Sequence, residues 1–98
     1  MYKAVILPDA KKDVKEAARW YNDKKKGLGR RFVKEVRNKI SYICKNPKAI
    51  AERYDDTRCA VLDVFPFMVH FSIDEKQNVV IVSAVFHTSL NPERWEKR

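Results

Sequence analysis

In Tyr21-Asn22-Asp23-Lys24-Lys25-Lys26-Gly27-Leu28-Gly29-Arg30-Arg31-Phe32 two helical patterns meet with only Gly27-Leu28-Gly29 between them. A link that short forces the two helices into an antiparallel hairpin. Upstream, Ala10, Val14, Ala17, Ala18 and Tyr21 recur at helical spacing and make one apolar stripe. Asp9 stands where it can cap that helix by accepting a first-turn N–H. Lys24-Lys25-Lys26 suits the negative end of the helix dipole, and Gly27 is placed to stop the helix in a left-handed conformation. Downstream, a helix from Gly29 to Lys45 buries Phe32, Val33, Val36, Ile40 and Ile43 and carries Arg30, Lys34, Arg37 and Lys45 on its opposite face. Asn46-Pro47 ends it.

The flanks of the hairpin read as sheet. Lys3 to Leu7 is a short apolar run stopped by Pro8, which suits a first strand. Arg58 to Val64 has β character. In the next strand Phe67, Val69, Phe71 and Ile73 alternate with Met68, His70, Ser72 and Asp74, a pattern that predicts one buried face. Asp74 to Asn78 is a turn, and Val79 to Phe86 is nearly continuous hydrophobe, as in a central strand covered on both faces. The expected fold is α+β: an N-terminal strand, the antiparallel helical hairpin, then a three-stranded antiparallel meander, all in one sheet with helices on one side. Residues 1–98 are expected to form a single domain.

Composition narrows the function. Lys and Arg number 21 against 13 acidic residues, a net charge of +8 that calls for an anionic partner: nucleic acid, a nucleoprotein surface or an acidic protein segment. Apolar residues at 45% favour a packed domain over disorder. No apolar run is long enough to span a membrane, and the N-terminus lacks the features of a signal peptide, so a cytoplasmic protein is expected. Cys44 and Cys59 have no ligand-like spacing and read as reduced thiols; neither a metal nor a cofactor is expected.

Particular strings then resemble a known family. Ala17-Ala18-Arg19-Trp20-Tyr21, Gly27-Leu28-Gly29-Arg30-Arg31-Phe32 and Asn46-Pro47 resemble the helical hairpin of RelE/ParE-type bacterial toxins, whose genes stabilise plasmids. Arg58, Phe65-Pro66-Phe67, Val69, Phe71, Val85-Phe86-His87, Asn91-Pro92 and Trp95 continue the likeness in the family's order. The resemblance implies a toxin silenced by a cognate antitoxin in a hetero-oligomer. It also implies one of two targets: DNA gyrase for ParE-like members, or messenger RNA in the ribosomal A site for RelE-like members. Asn91-Pro92 and Trp95 look like the ParE-like branch.

The candidate site residues follow from those two chemistries. A nuclease needs cations around a phosphate and a group to move protons, for which the resemblance offers Arg58 and His87. Nuclease members carry an Arg where this chain has Met68, and a thioether cannot neutralise a phosphate; many relatives also carry Arg in place of Leu90. His70 shares a strand face with Met68, and Asp55-Asp56 reads as a turn rather than an acid–base pair. For binding a target or the antitoxin, the candidates are the basic stripe Arg30, Lys34 and Arg37, the aromatics Trp20 and Tyr21, the forked guanidinium of Arg58, and Arg94 and Arg98 in the tail. The expectation is a gyrase-poisoning binder, with a ribosome-dependent endoribonuclease as the alternative. A family member that only binds its antitoxin is a third reading.

Overall fold

The computed structural model describes residues 1–95. Strand β1 (Lys3–Ile6) leads into α1 (Pro8–Lys24) and α2 (Leu28–Lys45); a 3-10 turn (Pro47–Ala49) then opens the sheet half. Strands β2 (Glu52–Tyr54), β3 (Thr57–Val61), β4 (Phe67–Asp74) and β5 (Val79–His87) follow, and a second 3-10 turn (Pro92–Arg94) closes the described chain. The five strands lie in the order β1-β5-β4-β3-β2. All neighbours are antiparallel except β1, which runs parallel to β5.

The α+β architecture and the hairpin are as the sequence implied, with one strand more than expected. Asp55 adopts φ 49 and, with Asp56, turns the chain so tightly that Glu52–Tyr54 can pair with β3. Strand β3 also ends at Val61, short of the expected Val64, which is exposed in the loop. At the start of α1 the cap differs too. Leu7 occupies the capping position without a side-chain hydrogen bond, Pro8 opens the helix, and Asp9 falls inside the first turn. There its carboxylate meets the positive end of the dipole rather than a single N–H.

Gly27 is left-handed, with φ 90, and its N–H donates to Asn22 Oδ1 at 2.8 Å. Gly29 has a different task. A Cβ there would stand 2.3 Å from the backbone oxygen of Ala18, so the two helices touch main chain to main chain. That approach lets both helices press on one face of the sheet. Phe32, Ile43, Val69, Phe71, Val80 and Val82 are fully buried between them. At one end of this core Tyr21, Phe32, Phe65 and Phe67 pack ring to ring, with centroids from 4.8 to 6.0 Å apart.

Strand β5 gains its apolar density from a bulge. Val82 lies opposite Phe71 and Ala84 opposite His70, which leaves Ser83 as the extra residue. The shift lets Val80, Val82 and Val85 all join the core beneath the helices. The carboxylate of Asp13 then staples α1 to β5 by accepting the Val85 N–H at 3.0 Å.

Replacing Gly29 by Ala is expected to lower stability by about 2 kcal/mol, because backbone cannot swing aside as a side chain can. Helix propensity alone would instead favour Ala by about 1 kcal/mol. Urea unfolding decides between them; a Gly29→Ala protein as stable as the parent would mean the helices can part freely.

Candidate functional site

Arg58 and His87 do not meet. Arg58 lies opposite Phe71 on β4, whereas His87 lies opposite Phe67, four positions along the same strand and on the far side of it. At ~3.3 Å per residue and ~4.8 Å per strand, their backbones stand on the order of 16 Å apart. Arg58 is also occupied. Its Nη1 donates to the Ile50 carbonyl at 2.5 Å and its Nη2 lies 3.9 Å from Glu52, so it ties the chain entering β2 onto β3.

His87 is exposed at the end of β5. Its Nδ1 accepts the Ser89 N–H at 3.0 Å and lies 2.7 Å from the Ser89 hydroxyl. That bond places the proton of the neutral ring on Nε2. The ring meets Phe67 edge-on, with centroids 5.1 Å apart.

Of the two aromatics on α1, Tyr21 belongs to the core cluster and Trp20 to the surface. Trp20 is 56% exposed, contacts Tyr21 edge-on, and has Lys24 Nζ 5.0 Å from its ring centre. Arg30, Lys34 and Arg37 are exposed along α2 and make no ion pair among the described residues. Arg94 is exposed in the last 3-10 turn, and Arg98 lies outside the described residues.

The sheet face away from the helices is not the open, polar side that alternation implied. Met68 is 4% exposed and His70 fully buried. Strand β4 is covered on both faces there, because the side chains of Arg53 and Tyr54 reach across from the sheet edge and Trp95 of the C-terminal turn packs on it. Tyr54 Oη is 3.0 Å from His70 Nδ1, and Cys59 Sγ is 3.5 Å from the same nitrogen. The rings of Trp95 and Phe86 pack against His70 edge-on at 4.9 and 5.0 Å. Arg53 lies over Trp95 at 5.5 Å and reaches Met68 Sδ at 3.9 Å. Burial pushes the Cys59 thiol up, against the opposing pull of Arg53. Burial raises Cys44 and Tyr21 as well.

A groove of about 660 Å³ runs between α1 and the end of β5, lined by Trp20, Tyr21, Phe67 and His87 together with Asp13 and Glu16. The sequence reading had Trp20, Tyr21 and His87 in hand but missed the two acids. Their spacing with Trp20 on one side of α1 was the available signal. Among the described residues no group of three His, Cys, Asp or Glu side chains is arranged to hold a metal, and no helix is long and apolar enough to cross a membrane.

The family model for the ParE toxin of the type II toxin–antitoxin system parDE matches residues 4–92. The chain belongs to that family. Among solved structures it resembles the chromosomal ParDE system from P. aeruginosa, at TM-score 0.78 and 13% identity over 91% of this chain and 98% of that one. It also resembles the isolated E. coli RelE toxin, at TM-score 0.67 and 15% identity over 99% of this chain and 95% of that one. At such identities these two likenesses speak for the fold alone. No curated protein matches the chain by sequence.

The raised thiols and phenol set a pH dependence. Each stays protonated in the folded chain at a pH where the unfolded chain has lost its proton, so its contribution is complete below its ordinary value and fades as pH rises through the folded one. Melting temperature is therefore expected to hold from neutral pH to about 9.0, the ordinary value for both thiols, and to fall as pH rises beyond it. The fall should be shallower in Cys59→Ala; an equal slope would remove Cys59 as a source.

Proposed function

We propose that this toxin acts by binding DNA gyrase and that an antitoxin holds it silent in a hetero-oligomer. The observation that carries the first half is the separation of Arg58 from His87, with Arg58 committed to Ile50 and Glu52. Transition-state stabilisation requires cations already aimed where charge develops, and these two side chains, on the order of 16 Å apart at the backbone, are not so aimed. The buried state of Met68 supports the same reading, since the position that holds an Arg in nuclease members is here part of a packed face. The antitoxin half follows from family membership and from the ParDE system of P. aeruginosa, which shares the fold.

One feature favours a ribosome-dependent endoribonuclease instead. His87 shares its groove with Asp13, Glu16 and Tyr21, groups able to move protons. The two readings separate on His87→Ala and Arg94→Glu.

In purified gyrase assays, His87→Ala is expected to keep full inhibition of supercoiling, and Arg94→Glu to weaken it several-fold through lost contact. In cells, DNA breaks should appear while messages stay intact. Codon-phased cuts in messages, without DNA damage and abolished by His87→Ala, would overturn the gyrase reading.

A further inference from the structure

The groove between α1 and β5 is lined mainly by apolar side chains, and two carboxylates stand among them. The protein is +8 overall, yet the charged side chains lining this groove, Asp13 and Glu16, are both acidic. Asp13 holds the Val85 N–H. Glu16 is exposed and makes no hydrogen bond or ion pair among the described residues. Glu16 and Trp20 are four apart on α1 and so neighbours on its surface. Lys24 Nζ sits 5.0 Å from the centre of the Trp20 ring, so an incoming cation would share the indole with Lys24 or displace it. A guanidinium entering from the groove would find a carboxylate and an aromatic face side by side.

The backbone beside them is also open. Strand β1 stops at Ile6, and its last bond to β5 is from Leu7 N–H to Val82 O. Beyond Val82, β5 has no strand on that side among the described residues. Val85 N–H turns to Asp13, and Thr88 N–H donates across to Pro66 O. The alternation of an antiparallel pair therefore turns the His87 N–H and the Val85 carbonyl toward the groove. An extended chain could use both.

We propose that this groove receives an extended segment of the antitoxin, with an Arg or Lys side chain seated between Glu16 and Trp20. The assignment rests on the antitoxin reading above. It reverses, for this one contact, the charge expected of a partner to a +8 protein. Acidic side chains of the same partner would be repelled here and drawn instead to Arg30, Lys34 and Arg37 on α2.

The test titrates the protein with its cognate antitoxin, the partner assigned under the proposed function. Glu16→Lys is expected to bind about tenfold more weakly than the parent, with Glu16→Gln between them. Lys76→Glu, on the β4–β5 turn, should bind as the parent does. The His87 amide should gain protection from hydrogen exchange in the complex, and one Arg→Glu or Lys→Glu change in the antitoxin should restore affinity for Glu16→Lys. Parent-like binding by a folded Glu16→Lys would overturn the groove assignment and leave the antitoxin reading standing. Failure of the parent itself to bind would overturn both. Self-association of the free toxin that Glu16→Lys abolishes would make a second copy the occupant, and would overturn the proposal too.

Discussion

How near α1 can come to α2 sets what the helix side of the sheet can hold. At Gly29 the approach is main chain to main chain, and any side chain there would collide with the Ala18 carbonyl. Only because the axes are this close can Ala10 and Ala17 from one helix and Phe32, Val36 and Ile43 from the other reach the same strip of strands. Wider spacing would leave a gap over β4 and β5, and an unfilled gap in a core of this size is costly. The Asp13 carboxylate on Val85 N–H then fixes the hairpin along the strand direction. Packing therefore sets the distance between layers, while one charge-assisted hydrogen bond sets their register.

The opposite face is held by a different kind of contact. A buried imidazole is expensive unless its nitrogens are hydrogen-bonded, and His70 meets that condition through Tyr54, with the Cys59 thiol close by. The aromatic rings of Trp95 and Phe86 enclose the group, and Arg53 lies across the outside of Trp95. In this way a strand face with polar character becomes interior. This face is therefore closed by side chains from β2 and the C-terminal turn rather than left open to solvent.

Sequence periodicity revealed the hairpin, β1, β4 and β5, because each has an apolar pattern longer than the noise of a few residues. It missed β2, whose three residues, Glu52, Arg53 and Tyr54, carry no pattern. That strand exists because of the turn after it and the edge beside it. Alternation also implied one dry face for β4, since nothing local in Met68, His70 and Ser72 announces that Trp95 returns to cover them. The site was readable only in part. His87, Trp20 and the basic stripe on α2 stand out by residue type. The distance from Arg58 to His87, and the commitment of Arg58 to Ile50, depend on strand order and register, and these are properties of the assembled sheet.

Identities of 13% and 15% to two solved structures that share the fold bear on how function is carried. What those chains keep in common is the layer arrangement, which hydrophobic pattern and a close helix contact can satisfy with many side chains. What a site needs is narrower: particular groups at particular places, left free of other duties. In this chain the guanidinium at Arg58 is held by a carbonyl and a carboxylate, and the thioether at Met68 is buried. Among the described residues Glu16 and the α2 cations Arg30, Lys34 and Arg37 make no ion pair, and Trp20 and His87 are exposed along the α1–β5 groove. On the proposed reading, these exterior groups serve to recognise other proteins. Cations along α2 and the carboxylates of Asp13 and Glu16 in the α1–β5 groove would draw segments of opposite sign to different surfaces.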